Sequence, residues 1–478
     1  MKKILYFAIL VAALAVSCRP KYEPTWESLS AYDRAPEWFG DAKLGMWAHW
    51  GPQCQPEDGD WYARLMYEDG TKQADDHRRN YGDPAEFGFK DVIPLWTADN
   101  WDPDEIVGRF KRAGARYFVG MANHHDNFDL WNSSHQPWNS VNMGPRRDIV
   151  GEWARAVRKH GLPFGVSVHS SHAWMFYEPA QAYDGLLTKE DGCGKWWEGY
   201  DPQDLYAQRH PLSRQYGWEW QDTLTRPDAA YRRNFLERTQ ELIDRYRPDL
   251  VYFDDTVLPF WPFSDEGLRL TAHLYNRNPR AVVTGKLLSD EHKRAIVHDV
   301  ERGVVGDIQP RPWQTCTCIG NWHYDRSLYE RDAYTPAAEV VWMFADIISK
   351  NGNLLLSVPV RADGTLDEKE EAILDDIGGW IDVCGEAVYG SRPWKVYGED
   401  GIRFTCKGRT LYAFILERPA GGSTVTVSSL SPDRDHRVRK VELLGRKGPL
   451  PFEQTPDGLR VTLPESLPTS FVPVLKIK

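Results

Sequence analysis

Residues 101–125 read WDPDEIVGRFKRAGARYFVGMANHH, and this stretch decides the fold. Asp102 can cap a helix that begins at Pro103, since an aspartate oxygen accepts first-turn amides and proline has no amide to leave unpaired. Ile106, Val107, Phe110 and Ala113 then share one helical face. Gly114 stops the helix, and Tyr117–Met121 reads as a strand buried on both faces. The same grammar returns in RDIVGEWARAVRKHGLPFGVSVHSS (147–171), YRRNFLERTQELIDRYRPDLVYFDD (231–255) and PAAEVVWMFADIISKNGNLLLSVPV (336–360), with a fainter copy ending in PRAVVTGK (279–286). Repeats of this unit predict an α/β fold, a (β/α)8-type, TIM-like barrel over residues 37–391. An open doubly wound sheet is the alternative, but no Gly-rich dinucleotide fingerprint follows any strand.

Beyond residue 391 the pattern changes. IRFTCKGRTLYAFILERP (402–419), GSTVTVSSL (422–430), GLRVTLP (458–464) and SFVPVLKIK (470–478) are short alternating stretches between turn residues. They predict a small C-terminal all-β sandwich over 392–478.

At the other end, Lys2-Lys3 precede the apolar run Ile4–Val16, too short to span a bilayer but suited to a signal peptide. It closes on LAVSC (14–18), which is similar to a bacterial lipobox. That implies a leader over 1–17, a lipidated Cys18, a tether over 19–36 and a protein anchored at the periplasm or outer membrane. Six further cysteines define no disulfide framework, and Cys316 and Cys318 read as packing residues. The formal net charge is −11 with no basic stripe, so nucleic acid is excluded as a partner. Membrane contact is expected only through the anchor. Trp 21, Tyr 22 and Phe 18 are high counts, and many of these rings lie in polar loops, as sugar stacking requires.

The polar clusters begin where strands end: NHHDNF after Tyr117–Met121, HSSHAW after Phe164–Val168, DDTV after Leu250–Phe253. In a barrel that is the C-terminal rim, where the chemistry sits. Asp254 at a strand end suits a nucleophile, a metal ligand or an acceptor of loop amides; Asp255 is expected to turn away and cap the next loop. His124, His125 and Asp126 invite a metal reading. Adjacent His side chains diverge, however, and metal sites draw spaced ligands, so hydrogen bonding to hydroxyls is preferred and neither metal nor cofactor is expected. His49 closes the first strand, and Asp60-Trp61-Tyr62 follow. An imidazole, a carboxylate and an indole together suit a monosaccharide.

In this order the stretches resemble the α-L-fucosidases of glycoside hydrolase family 29. WFGDAKLGMWAHWG (38–51) is similar to the family's opening strand, NHHDNFDLWNS (123–133) to its HHDGF-type block, and RRDIVGEW (146–153) to the helix after it. PDLVYFDD (248–255) resembles the nucleophile strand, while NGNLLLSVPVRADGTL (351–366) and GEAVYGSRPW (385–394) resemble the closing blocks. The resemblance implies an exo-acting, retaining enzyme that removes terminal L-fucose from oligosaccharides or glycoconjugates. Asp254 would be its nucleophile, and Glu301, in HDVERG ahead of PWQTCTCIGNWHY (312–324), its acid/base, with Glu291 in reserve. The sugar contacts it implies are His49, Asp60, Trp61, His124, His125, His169, Tyr252 and Trp313. Departures fall at Tyr252, Asp60 and Asn127, where family members carry Trp, Glu and Gly, and an Arg near Lys286 is missing. These leave room for L-galactosidase-like activity. A catalytically silent glycan-binding lipoprotein and a metal-dependent hydrolase on His124, His125, Asp126 and Asp254 are the competing classes.

Overall fold

The computed structural model describes residues 21–214, 217, 220–432 and 437–478. The expected leader over residues 1–17 and Cys18 lie outside the described residues. Eight parallel strands close into a barrel in sequence order, β1 (Leu44–Ala48), β2 (Tyr117–Asn123), β3 (Phe164–Val168), β4 (Leu250–Phe253), β5 (Val282–Gly285), β6 (Val297–Glu301), β7 (Trp313–Cys318) and β8 (Gly352–Ser357). The seam is a β1–β8 ladder that sets Leu44 opposite Leu354. The open-sheet alternative is therefore excluded.

Period-two alternation explains why the strands read as unbroken apolar runs. One residue set, including Trp47, Tyr117, Val119, Leu250, Tyr252, Val282, Val297, Cys316 and Leu355, packs inside the barrel. The set between them, including Met46, Phe118, Val166, Val251, Phe253, Val283 and Leu356, packs against the helices outside. Gly45 makes room for an interior ring: a Cβ there would meet the Tyr117 ring at 2.2 Å. Tyr117 donates through its hydroxyl to Gln314 Oε1 at 2.8 Å, which satisfies a buried polar atom.

The connecting helices start as their sequences direct. In the helix Pro103–Arg112 the Asp102 carboxylate accepts from the amides of Asp104 and Glu105, while Ile106, Val107 and Phe110 are buried. Gly114 leaves the helix with φ +107, a left-handed conformation that L side chains resist. The departure from the resembled family at Asn127 has a local reason of this kind. Asn127 sits at φ 60, where glycine is the usual residue and asparagine the best substitute. Its side chain also binds the carbonyls of Asp204 and Leu205 and accepts from Arg238 at 2.7 Å.

The expected tether needs correction. From Tyr22 onward the segment is docked on the barrel, because its aromatics find apolar partners there. Tyr22 is buried and exchanges hydrogen bonds with the Asn276 side chain at 2.9 and 2.8 Å. Trp26 stacks on His292 with centroids 4.0 Å apart, and Tyr32 stacks on Tyr275 at 4.4 Å.

After the closing helix, Glu368–Val388, the chain forms two antiparallel sheets of five and three strands around their own apolar core. Asp346, at the base of the helix Ala337–Ser349, joins this β-sandwich to the barrel. It accepts from Lys350 Nζ at 2.8 Å and from Arg403 Nε at 2.5 Å, Arg403 lying in the strand Ile402–Lys407.

Candidate active site

The interior residue set does not stop at the strand ends. Continued by two, Trp47 leads to His49, Ser167 to His169, Tyr252 to Asp254, Thr284 to Lys286, Asp299 to Glu301, and Leu355 to Ser357. Period two thus carries the barrel core into its mouth. There a cavity of about 880 Å³ opens, lined by Trp47, His49, Trp61, His124, His169 and Tyr252 on the floor and by Asp254, Lys286, Glu301 and Trp322 above. A slip in the β2–β3 register between Met121 and Asn123 lets both His124 and His125 approach the same space.

Asp254 is the most heavily contacted carboxylate in the cleft. His125 Nε2 lies 3.0 Å from its Oδ2 and His169 Nδ1 3.3 Å from the same oxygen, while Lys286 Nζ donates to Oδ1. Burial alone would raise this carboxyl, but the Lys286 ammonium, then His169 and His125, overcome it and hold the group well below the usual carboxylate range. Lys286 Nζ also donates to Glu301 Oε2 at 2.6 Å. Burial opposes the ammonium, and the two carboxylates outweigh burial and hold it charged. One ammonium bonded to both groups keeps their facing oxygens within two charge-assisted hydrogen bonds, roughly 5.5 Å.

The imidazoles around this pair are fixed from behind. His49 Nδ1 pairs with Ser357 Oγ at 3.0 Å. His125 Nδ1 donates to the His169 carbonyl at 2.8 Å. Gln53 accepts from the Ala63 amide, so its Nε2 donates to His124 Nδ1 at 2.8 Å and leaves His124 Nε2 facing outward. Burial, with neighbouring imidazoles adding to it, holds His49 and His124 neutral, well below the ordinary histidine range. Burial likewise lowers His169 to about 4, against the pull of Asp254. Both ring nitrogens of His169 are buried without a well-aligned hydrogen-bond partner.

Adjacent histidines do not diverge here: the His124 and His125 rings lie 4.5 Å apart, because the slipped register brings both to one side. Asp255 does face away from its neighbour, buried and accepting from Ser171 Oγ and His172 Nε2, both at 2.9 Å. His172 in turn stacks on Trp220 at 4.4 Å, which ties the rim segment of Arg214, Trp220, Gln221 and Asp222 to the barrel.

Several expected sugar contacts are placed differently. Trp313 is not in the cleft. It opens β7 at the opposite end of the barrel, donates to the Lys350 carbonyl at 2.9 Å and lines a separate small cavity with His298 and Arg311. The ring of the same block that reaches the cleft is Trp322, which follows the strand and lies 4.8 Å from the His49 ring. Asp60 stands behind the lining, accepting the His323 amide at 2.8 Å. Tyr252 lends the cleft only its ring: its hydroxyl turns down to Asp299 at 3.3 Å and the Cys316 sulfur at 3.5 Å. Glu291 is exposed at the N-cap of the short helix His292–Ala295 and lines no part of the cleft. Lys286, Trp47 and Trp322 are absent from the residues that the sequence singles out, although Lys286 and Trp47 carry the inward parity.

Comparison with known proteins gives consistent matches. A family profile described as Alpha-L-fucosidase matches residues 9–386, and one described as Alpha-L-fucosidase C-terminal domain matches 398–478. Tissue alpha-L-fucosidase of Rattus norvegicus is 29% identical over 468 residues, spanning 94% of this chain and 90% of that protein. The alpha-fucosidase of Thermotoga maritima, solved with fucose, superimposes with a TM-score of 0.75 at 27% identity over 96% of this chain and 100% of that one. Its structure with a mechanism-based inhibitor gives 0.75 at 27%, over 95% and 99%.

Proposed function

The chain belongs to the alpha-L-fucosidase family, and from that premise we propose that it is a retaining exo-α-L-fucosidase in which Asp254 is the nucleophile and Glu301 the acid/base. The observation that carries this reading is the Lys286 bridge between the two carboxyl groups. It keeps the facing oxygens no farther apart than roughly 5.5 Å, within the close spacing of double displacement; an inverting enzyme needs more room for water.

In the first step an Asp254 oxygen attacks the anomeric carbon, the glycosidic C–O bond breaks and Glu301 gives its proton to the departing oxygen. In the second, Glu301 takes a proton from water, the new hydroxide attacks the same carbon and the bond to Asp254 breaks. The glycosidic oxygen takes the place of the Lys286 ammonium against Glu301 when sugar binds. His49, His124 and His169, all held neutral, offer ring nitrogens to sugar hydroxyls, and Trp47, Trp61 and Trp322 offer apolar faces. We assign the protein to the periplasmic side of a membrane, with Cys18 as lipid anchor. That rests on the leader sequence, and radiolabelled palmitate incorporation that disappears in Cys18→Ser tests it.

Proton NMR of a turnover with aryl α-L-fucoside tests the reaction. α-L-fucose should be the first product, with β-anomer arising only by mutarotation. β-L-fucose as first product would rule out the retaining mechanism. Faster turnover of an α-L-galactoside would reassign the sugar, and binding of both without turnover would leave a silent lectin.

A further inference from the structure

His124, His125 and His169 are a compact donor set with a carboxylate at its edge. One ring nitrogen from each lies within 4.8 Å of the other two, the only such group of three among the described residues. Asp254 Oδ2 is 3.0 Å from His125 Nε2 and 3.3 Å from His169 Nδ1. Tetrahedral zinc, with bonds of about 2.0–2.1 Å, sets neighbouring donors roughly 3.3 Å apart. The carboxylate and two imidazoles thus already stand near that spacing, and a tilt of the third ring within the open cleft completes it.

The surroundings match a metal site as well. His125 is oriented by donation to the His169 carbonyl and His124 by its hydrogen bond to the Gln53 carboxamide, which turns over and releases the Ala63 amide when His124 Nε2 gives up its proton to bind a metal. Such partners are what hold metal-ligating imidazoles in register. His169 faces Asp254 Oδ2 through Nδ1 at 3.3 Å, and neither of its ring nitrogens makes a well-aligned hydrogen bond. Lys286 occupies only Oδ1 of Asp254 and leaves Oδ2 to the cluster.

We propose that His124, His125, His169 and Asp254 Oδ2 bind one borderline divalent transition ion, Zn²⁺ or Co²⁺, and that the ion closes the cleft to the sugar. Three imidazoles and one carboxylate select these ions over Mg²⁺ and Ca²⁺, which take all-oxygen shells. The ion is an inhibitor, not a participant in the reaction. It takes the Asp254 lone pair that would attack carbon and fills the floor on which the sugar would lie. Metal binding does not depend on the proposed function; competition with fucose does.

Titration of the full chain with Co²⁺, followed by the visible ligand-field spectrum, and with Zn²⁺ by calorimetry, tests the proposal. One equivalent should bind with an intense tetrahedral cobalt band. His169→Asn should weaken zinc binding by about tenfold or more, and Cys193→Ser, which alters an exposed thiol that does not line the cleft, should not. Wild-type affinity in a folded His169→Asn variant, an octahedral cobalt spectrum, or no binding would each overturn the site. On the unaltered protein, saturating L-fucose should displace the ion. If cobalt binds tetrahedrally and depends on His169 but ignores fucose, the metal site stands and the sugar assignment fails.

Discussion

Lys286 Nζ donates to Glu301 Oε2 at 2.6 Å while it also holds Asp254 Oδ1, so one side chain bridges the two carboxyl groups. Without that ammonium, two carboxylates share a small space and one of them takes up a proton. In Lys286→Met the acid limb of the kcat/KM profile should therefore move up by about 1–3 pH units, the usual effect of a close opposite charge. Lys286→Arg should keep the limb near its original place. An unchanged profile in the methionine variant would show that the bridge does not govern the carboxylates.

Azide separates the roles of the two acids. In Asp254→Gly it enters on the face that the carboxylate has left and should give β-L-fucosyl azide. In Glu301→Ala the sugar is already β-linked to Asp254, and azide arriving from the other face should give the α-anomer. Glu301→Ala should also lose most activity on poor leaving groups and least on dinitrophenyl or fluoride donors. Equal loss on every donor, with no azide product, would remove Glu301 from the mechanism.

Trp313 and Trp322 belong to one sequence block and face opposite ends of the barrel. Trp322→Ala should lower kcat/KM while leaving the melting temperature close to that of the parent. Trp313→Ala should do the reverse, with a loss of about 3–5 kcal/mol from the cavity in a packed core. Denaturant unfolding paired with steady-state kinetics distinguishes them.

Arg238 and Asp129 form a buried pair at 2.5 Å beneath the β2 loop. Arg238→Met would strand Asp129 without a counter-charge, at a cost of about 3–5 kcal/mol. Urea midpoints measure it. A shift too small to resolve would mean that water reaches Asp129.

Asp299 lies inside the barrel, where burial lifts its carboxyl to about 6 against donors from Cys316 and Gln314. Between its unfolded value of 3.8 and about 6 the native protein keeps a proton that the unfolded chain releases. Stability should thus fall as pH rises through that window, by about 3 kcal/mol from this group. Asp299→Asn should remove that part of the slope. Parallel pH profiles for the two proteins would contradict it.

The barrel was legible because helices and strands carry different periods, and because doubly buried strands have no polar side to confuse the reading. Asp254, His49 and His169 were legible as polar residues just beyond apolar runs. Lys286 follows the same rule, but its strand, β5, closes the faintest copy of the unit in the sequence, and a lone lysine after Gly285 reads as a solvated loop charge. Trp313 misled for the opposite reason. It is aromatic and inside the right block, yet it precedes its strand's interior residues Gln314 and Cys316, so it belongs to the outward set at the far end. The docking of Tyr22, Trp26 and Tyr32 depends on partners more than two hundred residues away, which no local period encodes.

That docking would limit any leash that the proposed anchor at Cys18 provides. From Cys18 to the anchored Tyr22 there are four residue steps, at most about 14 Å of extended chain. A lipid on Cys18 would therefore moor the barrel against the bilayer instead of letting it sweep a wide volume. Glycans would have to be delivered to the membrane plane to be trimmed, and a Gly/Ser insertion after Pro20 should extend the reach of the enzyme toward substrates immobilised farther away.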